Sequence, residues 1–110
     1  YYRADNLEKA SAAIPDDATS ILLAHSPEIF RHAAYAGFDL MLSGHTHAGQ
    51  ICLPGGRQLM CNARCPRFVC AGAWQFEQLQ GYTSAGSGVS VVDVRFNCPP
   101  EVTLHVLRAA

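Results

Sequence analysis

Two short apolar runs constrain this chain most: Ile21-Leu22-Leu23-Ala24 and Phe38 to Leu42, separated by a segment with the marks of a helix. Each run is too short for a helix and continuous enough to read as a strand covered on both faces. Between them, Ser26 is suited to N-capping and Pro27 to the first helical position. Ile29, Phe30, Ala33 and Ala34 then form an apolar face that runs up to Gly37. A strand, helix and strand of this length favour a right-handed crossover between parallel strands, which brings both carboxyl ends to one rim. In open α/β sheets that rim is where ligands bind, because the loops leaving the strands converge there. His25 and Ser43-Gly44-His45 stand at the two exits.

The flanking segments have weaker patterns. An earlier helix is predicted over Asn6 to Ala13, capped by Asp5 with Glu8 completing a capping box, and ended by Pro15. Beyond Gln50, short β-like runs broken by glycine and proline predict antiparallel strands at Ile51 to Leu53, Gln58 to Met60, Ala73 to Leu79 and Val89 to Val94. Cys61 to Gly72 has no period and reads as a long loop. The alternation of Val102, Leu104 and Val106 with Thr103 and His105 predicts a last strand. The fold class is therefore α/β with a mixed α+β character, a strand-helix-strand unit followed by antiparallel strands. Residues 1–110 are read as one domain fragment.

Composition narrows the function classes. With 110 residues, 49% of them apolar and 15% charged, the chain matches a globular domain. A formal net charge of -1, with both signs scattered, supplies no basic surface for nucleic acid, and none is expected as a partner. No apolar run reaches the ~20 residues of a membrane span. Because residue 1 is tyrosine, upstream material is expected to exist, and location is left open between cytoplasmic and membrane-associated. The five cysteines, Cys52, Cys61, Cys65, Cys70 and Cys98, cannot all pair. The three from Cys61 to Cys70 invite a zinc reading, but neither gap is that of a zinc knuckle, so reduced and partly buried thiols are the simpler expectation.

The chemistry concentrates in Gly44-His45-Thr46-His47-Ala48-Gly49-Gln50. If this segment is near-extended, His45 and His47 project to one side about 6.5 to 7 Å apart. Paired ions in hydrolases sit about 3.5 to 4 Å apart, so each imidazole can serve one ion, with His25 as a third nitrogen donor on the same rim. Three imidazoles suit zinc, iron or manganese better than magnesium or calcium. A lone histidine after a strand usually makes ordinary polar contacts; the convergence of three is what argues for ligation. His32, inside the helix, and His105, inside the final run, read as structural.

The segments Leu22-Leu23-Ala24-His25-Ser26-Pro27 and Asp39 to Ile51 resemble the last two metal-binding motifs of the calcineurin-like metallophosphoesterases, and the tail Arg95-Phe96-Asn97-Cys98-Pro99-Pro100-Glu101-Val102 is similar to the ending of a bacterial branch of predicted, often membrane-associated, phosphohydrolases. The likeness runs from about Ser20 to Arg108. It implies that the chain is the C-terminal half of a four-layer αββα sandwich, with His25 and His45 on the second ion and His47 on the first. It also implies two divalent transition-metal ions (Mn, Fe or Zn), and hydrolysis of a phosphoester or pyrophosphate by metal-bound hydroxide on a phosphorylated small-molecule or lipid-linked substrate. The family's Asp-x-His, Gly-Asp-x-x-Asp and Gly-Asn-His motifs do not occur in these residues. No catalytic residue is therefore expected in this segment, the chain is expected to be inactive alone, and the missing N-terminal half of the domain is its expected partner. Arg95, in the matched tail, is the candidate for a substrate phosphate.

Other catalytic readings fail on spacing. Cys61 to Arg67 has the cysteine and arginine of a thiol phosphatase loop but none of its interior glycines, and Ser87 lacks the Gly-x-Ser-x-Gly elbow. The alternative to the enzyme is a non-catalytic, degenerate metallophosphoesterase-like domain or a small zinc-binding module.

Overall fold

The computed structural model describes residues 6–109. Four strands form a mixed sheet in the order β1-β2-β6-β5, where β1 is Ile21–Ala24, β2 Leu40–Ser43, β5 Gly72–Phe76 and β6 Leu79–Thr83. β1, β2 and β6 run parallel, with Ala24 beside Ser43 and Ser43 beside Thr83, while β5 returns antiparallel as one arm of a hairpin with β6. The expected crossover is present, and the exits of β1 and β2 are tied by the Gly44 N–H donating to the His25 carbonyl at 3.2 Å. A separate two-stranded ribbon pairs β3 (Cys52–Leu53) with β4 (Arg57–Gln58).

The connection between β1 and β2 opens as a 3₁₀ turn over Pro27–Ile29 before the α-helix α2, Phe30–Tyr35. Ser26 caps the opening through its side chain, which accepts from the Glu28 N–H. The tight first turn swings Phe30 inward, where its ring meets Phe76, Phe68 and Trp74 edge-on at 5.0, 5.7 and 6.1 Å. Phe30 and Trp74 form the main core on one face of the sheet with Leu22, Ala33, Ala34, Phe38, Met41, Val69 and Leu79, and the partly buried Phe76 packs against it. Burying an aliphatic or aromatic side chain of this kind stabilises by about 1.5–3 kcal/mol. Gly81 is required where it lies: a Cβ there would run into the indole of Trp74, directly across from it on β5.

The reading of β1 as covered on both faces is corrected by the structure. Leu22 faces the core, whereas Leu23 is 75% exposed and Ile21 41% exposed on the outer face. The C-terminal tail crosses part of that face, its His105 ring lying edge-on to Tyr82 at 4.9 Å, and encloses with it a groove of about 850 Å³. The strand expected over Val102 to Leu107 does not form, since its backbone pairs with no other strand, and Val102 and Leu104 are exposed. Instead, the Glu101 carboxylate accepts from the hydroxyls of Thr103 and Tyr82, both at 2.6 Å. Those two bonds hold the carboxyl below the ordinary range, Thr103 contributing most; the Tyr82 hydroxyl, bonded to Glu101, is raised.

Three other elements differ from expectation. Ala73 to Leu79 is a hairpin rather than one strand, its turn made by Glu77 in the left-handed region. Val89 to Val94 contributes only an isolated bridge between Ser90 and Val92. The first helix, α1, is shorter than expected, Leu7–Ser11, and is capped by the Asn6 side chain accepting from the Lys9 N–H at 2.8 Å; the expected Asp5 cap lies outside the described residues. Among the described residues no helix is long and apolar enough to cross a membrane.

Candidate metal site

Histidines 25 and 45 leave the ends of adjacent parallel strands, and their rings meet with centroids 4.5 Å apart, tilted by 50°. His25 is exposed and His45 half-buried, so the pair lies at an accessible rim. The crossover topology thus brings His25 and His45 to one rim, as the strand-helix-strand pattern predicts.

Residues 45–50 are not extended. His45, His47, Ala48 and Gln50 all have positive φ, as does Gly49, with only Thr46 in the right-handed region between them. A left-handed conformation costs an L-residue roughly 1–2 kcal/mol, and such strain persists only where surrounding contacts enforce it. The contacts are visible. Thr46, wholly buried, donates its hydroxyl to the Cys70 carbonyl at 2.7 Å and accepts from the Ala48 N–H at 3.2 Å. Gln50, 5% exposed, donates to the Val92 carbonyl at 2.6 Å and accepts from the Ser90 N–H at 2.7 Å. Gly49 packs so closely on the Met60 carbonyl that a side chain there would overlap it.

His47 is consequently turned inward. Its Nδ1 is buried without a hydrogen-bond partner in this structure, an expensive state for an imidazole nitrogen. An electron-pair acceptor such as a metal ion would satisfy that nitrogen if it is deprotonated, so the residues present fit a metal. The donor atoms of His25, His45 and His47 do not all lie within 4.8 Å of one another. Among the described residues the sole set of three donors that does is Cys61, Cys65 and Cys70.

Arg95 is the candidate for a substrate phosphate, but all three of its guanidinium nitrogens are directed at backbone carbonyls. Nη2 donates to the Ala85 carbonyl at 2.6 Å and to Gly86 and Gly88; Nε also donates to Gly88; Nη1 reaches the carbonyls of Cys98 at 3.3 Å and His47 at 3.5 Å. Beneath the histidine loop, Ala48, Cys52, Ala85 and Cys98 make a second small core. The Cys98 thiol donates to the His47 carbonyl at 3.3 Å and the Cys52 thiol to that of Ala48 at 3.4 Å; burial, and then the neighbouring Cys98, push the Cys52 thiol up.

A further group went unseen in the sequence. The Thr83 hydroxyl donates to the Val69 carbonyl at 2.7 Å and accepts from the Trp74 indole N–H at 2.9 Å. Its one hydrogen being spent, the contact with Ser43 at 3.0 Å must be donated by the serine. This buried cluster fixes the end of β2 immediately before Gly44. No periodicity or motif could have pointed to it, because its members come from four separated stretches of chain.

The mixed α/β sheet, with His25 and His45 at the exits of its parallel strands, is compatible with part of a metal-dependent hydrolase domain. Comparison with known proteins gives the family. The chain is 38% identical over 84 residues to Phosphodiesterase YaeI of Escherichia coli, covering 76% of this chain and 30% of that protein. It is 30% identical over 102 residues to the metallophosphoesterase YkuE of Bacillus subtilis, covering 93% of this chain and 35% of that protein. It is also 38% identical over 108 residues to a transmembrane protein with metallophosphoesterase domain of Bos taurus, covering 96% of this chain and 23% of that protein. The chain belongs to the calcineurin-like metallophosphoesterases. It spans between about a quarter and a third of these relatives' lengths, and the bovine match widens the likeness beyond bacteria. No family model matches it, and no solved structure gives a significant match.

Proposed function

We propose that this chain supplies His25, His45 and His47 as ligands to the dinuclear centre of a metal-dependent phosphohydrolase acting on a phosphoester or pyrophosphate. The observation that carries this reading is the conjunction of the His25–His45 ring pair with the buried, unpartnered Nδ1 of His47. The donor set favours Mn, Fe or Zn. When bound, such ions supply an activated water and neutralise charge on the phosphoryl oxygens.

The chain's own residues orient and hold. Thr46, Gln50 and Arg95 fix the loop that carries His45 and His47, and the cluster around Thr83 fixes the strand that leads into it. Three neutral imidazoles do not balance two dications, so a bridging carboxylate and the histidine assisting the leaving group come from another segment of the same domain. The apolar outer face at Ile21 and Leu23 is suited to pack against that segment, and the chain alone is inactive. The phosphodiesterase name of YaeI makes a phosphodiester the first substrate to try, with phosphorylated small molecules and lipid-linked pyrophosphates next.

The test is metal content and hydrolysis of bis(p-nitrophenyl) phosphate by the full-length protein loaded with Mn²⁺, Fe²⁺ or Zn²⁺. Two ions and measurable turnover, both reduced by His45→Ala and by His47→Ala, are expected. Unchanged ion content in both variants would reject the ligand assignment. Two bound ions without turnover on any phosphoester would favour a degenerate, non-catalytic domain.

A further inference from the structure

The loop from Cys61 to Cys70 lies outside the histidine site, and its three sulfurs are gathered by the fold. A 3₁₀ turn over Arg67–Val69 brings Cys70 back against Cys65. The Sγ atoms of Cys61 and Cys65 are 3.8 Å apart, as are those of Cys65 and Cys70, while Cys61 and Cys70 are joined in a disulfide with Cα atoms 6.5 Å apart. The disulfide departs from the expectation of reduced, partly buried thiols, which holds for Cys52, Cys65 and Cys98.

We propose that, in its reduced form, this loop binds one soft divalent cation of the zinc type through the thiolates of Cys61, Cys65 and Cys70. Tetrahedral zinc with Zn–S bonds of about 2.3 Å holds its sulfurs about 3.8 Å from one another. Two of the three pairs already have that spacing. The third pair needs only to open from a bond to the same separation, and its Cα distance is near the wide end of the roughly 4.4–6.8 Å a disulfide spans. Cys70 is fully buried, but Cys61 and Cys65 are half-buried, which leaves the fourth position to water from the open side. Three thiolates and a dication leave one net negative charge, and Arg64 and Arg67 belong to the same loop.

The chemistry balances in two stages. A dithiol reductant delivers two electrons and two protons to Cys61 and Cys70 and leaves as its own disulfide. The ion then displaces three thiol protons. Burial, and then the charge of Glu28, push the Cys65 thiol up. The site is also coupled to the histidines by bonds already present. The Cys70 carbonyl accepts from Thr46, between His45 and His47, and the Arg64 N–H donates to the Glu28 carboxylate at 2.7 Å, shortly after His25. An ion in this loop would hold both histidine-bearing segments from outside.

The test uses the full chain, reduced and freed of metal, with Co²⁺ as an optical probe and Zn²⁺ as a protectant. One equivalent of Co²⁺ should give an intense thiolate-to-metal charge-transfer band that survives His45→Ala and is lost in Cys65→Ser. Zinc should protect Cys61, Cys65 and Cys70 from alkylation in the unsubstituted chain, with no such effect at Cys52 and Cys98; this arm needs no variant to fold. Absence of the band in the reduced chain, its persistence in Cys65→Ser, or zinc protection confined to other cysteines would overturn the proposal. Failure of the histidine site alone would leave every one of these readouts unchanged.

Discussion

The imidazoles of His25 and His45, twenty residues apart in sequence, face each other at 4.5 Å between ring centroids because the strands that carry them are hydrogen-bonded neighbours in parallel register. The pair is thus a product of topology, and His47 joins the neighbourhood by a different route, a loop turned through the left-handed region.

That difference makes His47 the more diagnostic residue. In metal-free protein, replacing it with leucine removes an unpartnered buried nitrogen, so stability should fall by less than about 1 kcal/mol or rise. Saturating Mn²⁺ or Zn²⁺ should raise the melting temperature of the full-length protein by a smaller amount in His47→Leu than in the unsubstituted form. An equal metal-induced rise in both would remove His47 from the ligand set.

Thr46→Val keeps the shape of a buried side chain but leaves the Cys70 carbonyl without its donor. A loss of about 1–3 kcal/mol in denaturant unfolding is expected. Faster amide exchange at Ala48, whose N–H bonds to the same hydroxyl, should accompany it.

Arg95→Met should destabilise the chain even with no substrate present, because its guanidinium bridges the carbonyls of Ala85, Gly86, Gly88, Cys98 and His47. Hydrogen bonds to a charged group contribute about 1.5–3 kcal/mol each when buried; partial exposure reduces this, and a total loss of roughly 2 kcal/mol is expected. Arg95→Lys, lacking the fork, should recover little of it.

Asp39 latches the entry ends of β1 and β2. Its carboxylate accepts from the Ser20 N–H at 2.8 Å and the Ser20 hydroxyl at 3.0 Å, and these bonds, the backbone one first, hold its pKa below the ordinary 3.8. A carboxyl depressed in the folded state stabilises fully above its unfolded pKa, and the contribution is lost as pH falls through the folded value. Asp39→Asn should therefore flatten the decline in melting temperature below about pH 4 without altering the slope near neutrality.

Gly81→Ala sets a Cβ against the Trp74 ring on the neighbouring strand. The indole must leave its place, breaking its bond to Thr83 and with it the buried hydroxyl cluster, so a loss at the upper end of the roughly 1–3 kcal/mol of overpacking is expected, with a shift in tryptophan fluorescence.

The sheet's parallel half was legible because its signals are local and agree. The apolar runs at Ile21 and Leu40, the Ser26-Pro27 start and the glycine after α2 each limit the backbone in the same direction. His25 and His45 were legible by the same logic. What was not legible depends on distant partners. Alternation in Val102 to Leu107 describes a strand only if another backbone lies beside it, and here none pairs with it. The conformation of His45 to Gln50 was missed because positive φ at non-glycine residues is imposed by Cys70, Val92, Phe96 and Met60, none of them near in sequence. Spacing alone also argued against the cysteine cluster, yet a single 3₁₀ turn folds the loop back far enough to gather its sulfurs.

The left-handed course of residues 45–50 bears on how quickly and how firmly a cation would be held. A segment already bent into place by Thr46, Gln50 and Arg95 surrenders little further entropy when an ion arrives, so capture would proceed without a folding step. The same clasps would oppose the imidazoles swinging away, favouring slow dissociation over fast exchange.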